Sequence, residues 1–216
     1  MKKLINTLIL AILTISLSAQ SKEYKSSMTI STRLLDSALS INNNEMLQEL
    51  SVSFKEIGDL HKNEWLPYYY AAYCHINMGF NEAEQYKIEL EINHAENFIL
   101  IADSLSPYNS EISCLKSLIA TGRIIADPMK NGYRYGEVVT NCLKDAKKEN
   151  PENPRVYYLI GQSLLYMPAE YGGGYANAKP YYELASNKYN NSELSNGYAP
   201  HWGKKENLKL LKEASY

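Results

Sequence analysis

Apolar residues recur at intervals of three and four along most of this 216-residue chain, broken by short clusters of Asn, Gly, Pro and Ser. That interval matches the turn of an α-helix and gathers the apolar side chains of each stretch on one face. After a polar lead over 20–27, Ile30, Leu34, Leu35, Ala38 and Ile41 predict a helix over 28–41. Asn42, Asn43 and Asn44 interrupt it and can cap a second helix over 45–60, with Met46, Leu50, Phe54 and Ile57 inward. Trp65, Leu66 and Pro67 open a third helix, which Gly79 closes, with Tyr68, Ala71, Ala72 and His75 at helical spacing. An unusually long fourth helix is expected over 81–105, where Ile88, Ile92, Ala95, Ile99 and Ala102 keep a near-heptad rhythm. A fifth, over 110–126, presents Ile112, Leu115, Leu118, Ile119 and Ile125 and ends at Asp127-Pro128. A loop over 129–132 leads to a sixth over about 135–148, carrying Val139, Leu143 and Ala146.

The stretch 153–185 reads as a complete helical hairpin. Asn153 offers a capping oxygen, and Pro154 suits the first helical position, where no N–H is needed. Tyr157, Ile160, Gly161 and Leu164 follow on one side. A glycine inside a helix costs roughly 1 kcal/mol against alanine, so Gly161 makes sense where another helix crosses closely. Pro168 ends the helix by excluding Met167 from the α region. Tyr171 and Gly172–Gly174 turn the chain, and a second helix starting near 175–177 carries Ala178, Tyr182 and Ala185. A polar loop over 187–199 follows, then Pro200-His201-Trp202-Gly203, with Trp202 expected on the open end of the last hairpin. Leu208 and Leu211 mark a closing helix over 204–214.

The pattern Tyr157, Ile160, Gly161, Leu164, then a turn, then Ala178, Tyr182, Ala185 resembles the tetratricopeptide repeat. Weaker echoes stand at Ser31, Leu35 and Ala38, at Ala95, Ile99, Ala102 and Pro107, and at Val139, Leu143, Ala146 and Pro151. Their uneven separations make a degenerate array, and the turn after Tyr166 is longer than the family's own. The resemblance implies an all-α fold: an α-solenoid of about four helical hairpins plus a C-terminal capping helix, with small residues letting helices pack closely. The turn Pro168, Tyr171, Gly172, Gly173 followed by a small-large-small helix is also similar to the periplasmic T-component of TRAP-type transporters.

Composition adds a compartment. Lys2 and Lys3, an apolar run over 4–17 and the small residues Ser18 and Ala19 read as a secretory signal peptide over 1–19, leaving one helical domain over 20–216. Its loss removes two lysines and moves the net charge from −2 to −4. The chain is then periplasmic or secreted. The apolar run is too short and too interrupted for a membrane span, and no Cys follows to carry a lipid. With no basic excess, nucleic acid is not an expected partner.

Candidate chemistry is sparse. Cys74, Cys114 and Cys142 lie on apolar stripes and read either as small buried thiols or, for the last two, as a bridge within one hairpin. His61, His75, His94 and His201 form no metal-binding spacing, and no metal or cofactor is expected. No serine elbow, paired carboxylates or dinucleotide fingerprint is present, so the chain is not expected to be an enzyme. Gly172–Gly174 before a helix could hold an anion, but a plain turn explains them as well. The 19 tyrosines come in clusters, and neighbouring ones point about 100° apart, one inward and one elsewhere. Tyr69, Tyr133, Tyr158 and Tyr171, with Arg123, Arg134 and Arg155, are therefore the candidate lining of a concave binding face, the arginines for carboxylates. The leading expectation is a non-catalytic scaffold holding a protein segment, a partner subunit or a second copy of itself. The alternative is a periplasmic receptor for a small ligand or peptide serving a transport system.

Overall fold

A computed structural model describes the backbone over residues 2–192 and 196–213 and side chains over 21–192 and 196–212. The signal peptide expected over 1–19 lies outside the described side chains. Among the described residues nine α-helices follow in order: α1 Lys2–Ser40, α2 Asn44–Leu60, α3 Leu66–Asn81, α4 Gln85–Leu105, α5 Ser110–Ala126, α6 Pro128–Glu149, α7 Pro154–Tyr166, α8 Tyr175–Asn191 and α9 Lys204–Glu213. The described residues contain no strand. None of these helices, over the described residues, is long and apolar enough to cross a membrane.

Short polar side chains start the helices. Asn43, Asn109, Asp127 and Asn153 each accept a backbone N–H one to three residues into the following helix. Each pair α1–α2, α3–α4, α5–α6 and α7–α8 packs as an antiparallel hairpin, and each hairpin packs on the next. The first helices of successive hairpins touch one another, whereas the second helices have no comparable mutual contact. The stack therefore bows with α1, α3, α5 and α7 on its inner side. Close approach is made at small residues: Ala71, Ala72, Ala95, Ala102, Ala146, Ala178 and Ala185 are wholly buried. At Gly161 an added Cβ would sit 2.5 Å from the Tyr182 ring, which fills the space a side chain would need. The sequence pattern around Gly161 thus has a geometric cause. α9 closes the last hairpin: wholly buried Asn207 donates to the Tyr182 carbonyl (3.0 Å) and to Ser186 Oγ (2.8 Å).

Several expectations need correction. The first helix does not start at 28: it runs unbroken through 20–27, anchored by buried Tyr24 and Met28. Its inward face is Met28, Thr32, Leu35 and Ala38, while Ile30, Leu34 and Ile41 point to solvent. α4 starts at Gln85 and not at 81, since α3 continues two residues past Gly79. α6 includes the expected loop 129–132, because Asp127 caps Lys130 and Pro128 occupies the first turn. α8 extends to Asn191, well into the stretch expected as loop. Ile125 is exposed, and Met46 is only half-buried. All three cysteines are free thiols, Cys74 and Cys114 buried.

Candidate ligand-binding site

The inner face is not open. After α8, the segment 196–203 folds back over it and runs past α1, α3 and α7 before α9 begins. A glycine makes the last bend: Gly203 has φ 90°, and a Cβ there would lie 2.4 Å from the Tyr189 hydroxyl. That bend presents the Trp202 carbonyl to Tyr189 Oη, which donates to it at 3.0 Å.

Three side chains of the segment, Tyr198, His201 and Trp202, meet partners from the inner helices. Tyr70 Oη donates to the Tyr198 carbonyl at 2.8 Å, and the Tyr198 ring stands edge-on to Tyr24. Both nitrogens of His201 face acceptors: Nδ1 is 2.9 Å from the Ala199 carbonyl and Nε2 is 2.9 Å from the Asp36 carboxylate. Trp202, half-buried, makes further aromatic contacts. Its indole stacks on Tyr73 with centroids 5.1 Å apart and planes at 21°, and its Nε1 donates to Tyr69 Oη at 2.8 Å. Tyr158 stands across from it at 6.5 Å, and the Arg155 guanidinium lies 5.7 Å over the ring.

Beside this slot is a buried ion pair. Arg155 Nε donates to Glu111 Oε2 at 2.6 Å, and its Nη2 donates to Oε1 in the paired, forked geometry of a guanidinium on a carboxylate. Burial opposes a charge on Arg155, but the Glu111 carboxylate more than offsets it and holds the guanidinium ionised. Burial, first of all causes, pushes the Tyr69, Tyr70, Tyr73 and Tyr158 phenols well above their usual value. They stay neutral, with the hydroxyls available as hydrogen-bond groups.

Open space flanks the segment on both sides. Beside residues 21–25 of α1 and the α2–α3 turn lies a half-open cavity of about 290 Å³. Tyr24, Trp65, Leu66 and Tyr198 form its apolar walls, with Lys25 and Glu64 as the charged members. Glu64 acts on the Tyr24 phenol, whose acidity burial and that carboxylate both suppress. On the other flank a void of about 10 Å³ lies between Leu35, Leu39, Tyr73 and Trp202. Ser21 and Asn196 add to the polar lining of the larger cavity, which is about as polar as it is apolar.

Of the residues expected on a binding face, Tyr69, Arg155 and Tyr158 come together around Trp202, all nearly buried. The other four lie elsewhere. Arg123 pairs with Glu96 of α4 at 2.7 Å. Tyr133 is exposed near the start of α6, where Arg134 lies over the Tyr135 ring. Tyr171 is exposed in the turn before α8. Of the hairpin set, Tyr157, Gly161, Ala178, Tyr182 and Ala185 pack α7 on α8. Sequence reasoning missed Tyr24, Trp65, Tyr73 and Glu111 as site residues and placed Trp202 at the wrong end of its hairpin. The signal for Trp202 was the Pro-His-Trp-Gly run, a buried-anchor composition with no local partner.

No family model matches the chain, and no curated protein sequence is detectably similar. Among solved structures it is similar to the HusA haemophore from Porphyromonas gingivalis, at a TM-score of 0.79 and 34% sequence identity, over 88% of this chain and 92% of that one.

Proposed function

We propose, from the premise that this chain belongs to the same family as the HusA haemophore, that it is an exported, non-enzymatic carrier of a small apolar ligand of the haem class. The observation that carries the reading is the half-open cavity beside segment 196–203, where the rings of Tyr24, Trp65 and Tyr198 stand among the polar residues Ser21, Lys25, Glu64 and Asn196. A flat conjugated ring gains contact area from Tyr24 and Trp65, and the Lys25 ammonium suits a peripheral carboxylate. Export is supported by the leader-like composition of 1–19. The Gly161–Tyr182 packing supports kinship with tetratricopeptide-like repeats.

The scaffold reading is the weaker one. It needs an uncovered inner face, and the chain's own segment covers it.

The test uses the two tryptophans, Trp65 and Trp202, which both border the site. Titration with haemin is expected to shift the haem absorption band saturably at one ligand per chain, quenching most of the tryptophan emission in parallel. Tyr24→Ala and Trp65→Ala weaken the binding. Haemin that leaves the band at its free position, or that quenches without saturating, would overturn the proposal.

A further inference from the structure

The 290 Å³ cavity falls at the small end of ligand sites and would take only part of a porphyrin-sized ring. The rest of the site is already built and already holds a flat aromatic plate. Trp202 lies on Tyr73, under Arg155, with its edge nitrogen bonded to Tyr69. Four contacts from two separate hairpins orient this one bicyclic ring, which enters from outside the hairpin stack.

We propose that Trp202 is an intramolecular place-holder, and that a planar conjugated ligand takes its slot on Tyr73 by displacing segment 196–203. This rests on the small-ligand reading and gives it a site and a means of control.

Three observations support displacement. First, the segment belongs to no helix, and its link to a helical ladder is the Asn207 N–H to the Gly203 carbonyl at its far end. Second, its outer tie, the His201 to Asp36 hydrogen bond, lies at the surface with half-exposed partners, a kind of contact worth little. Third, open space borders the segment: the half-open cavity lies against Tyr198, Ala199 and Pro200. With the segment lifted, both spaces and the Trp202 slot join into one groove along α1 and α3, floored by Tyr73 and bounded by Arg155. Glu111 keeps Arg155 in place whether or not the slot is filled, so the groove is preorganised.

A place-holder lowers apparent affinity by the fraction of molecules in which it is seated. Removing it therefore tightens binding, whereas removing a wall residue weakens it. Haemin titrations by absorbance on the full chain are expected to give Trp202→Ala an affinity about tenfold above wild type. If Trp202→Ala fails to give a native far-ultraviolet spectrum, Asp36→Asn replaces it and is expected to tighten binding in the same direction by a smaller factor. In the wild-type protein, hydrogen exchange of the amides in 196–203 is expected to speed up when haemin binds, although bound ligands ordinarily protect. Unchanged or weaker binding by the variant, or slower exchange in 196–203, overturns the place-holder while leaving the carrier function standing. Absence of haemin binding in both wild type and Trp202→Ala retires both.

Discussion

Gly161 gives a prediction whose size follows from the coordinates. In Gly161→Ala the new Cβ would stand 2.5 Å from Cε1 and 2.7 Å from Cδ1 of Tyr182. Carbon atoms pack at about 3.5–4.0 Å, so ring and methyl must separate by roughly 1 Å. The ring has no room to give, because Tyr182 is wholly buried and its helix is seated through Ala178 and Ala185. Overpacking of this kind costs about 1–3 kcal/mol, and replacing glycine inside a helix returns about 1 kcal/mol. The net is a destabilisation of about 0–2 kcal/mol, a fall in Tm of up to ~8 °C for a chain of this size. Gly136 supplies the control. It lies in α6 with nothing within 4 Å of its would-be Cβ, so Gly136→Ala keeps the helix gain without the clash and raises Tm by a few degrees. Thermal unfolding followed by circular dichroism reads both variants. Shifts of the same sign, or a Gly161→Ala protein more stable than wild type, would refute the claim that tight α7–α8 contact is why position 161 is glycine.

Two more predictions concern the inner face. Burial raises the phenols of Tyr69, Tyr70, Tyr73, Tyr158 and Tyr189 far above the value of a free tyrosine. The unfolded chain thus loses protons first as pH rises, and stability that is complete below about pH 10 declines above it. Ultraviolet titration is expected to show exposed tyrosines ionising near pH 10, with the buried group following only as the helical signal is lost; one smooth titration of a folded protein would contradict this. Arg155→Met strands the buried Glu111 carboxylate and is expected to cost about 3–5 kcal/mol in urea unfolding. Arg155→Met with Glu111→Leu recovers most of that, and a double variant as unstable as the single one would show that the pair is not acting through charge.

The helices were legible because their signals are local. An apolar stripe and a capping Asn act within four residues, which is why α5 stands at its expected bounds and Ile88, Ile92, Ala95, Ile99 and Ala102 are all buried. The same holds for the 153–185 hairpin, where Gly161 and Tyr182 report their contact through size alone. The fate of the tyrosines was not legible. Alternation predicts one ring in and one out, yet Tyr68, Tyr69 and Tyr70 are all buried because α3 is enclosed by α2, α4, α5 and the returning segment. Nor could periodicity send Trp202 to Tyr69, 133 residues away in sequence. Local spacing encodes which face of a helix is apolar, and that much the chain carries by itself. What covers each face is a pairing of distant surfaces, decided only when the hairpins stack and segment 196–203 closes over them.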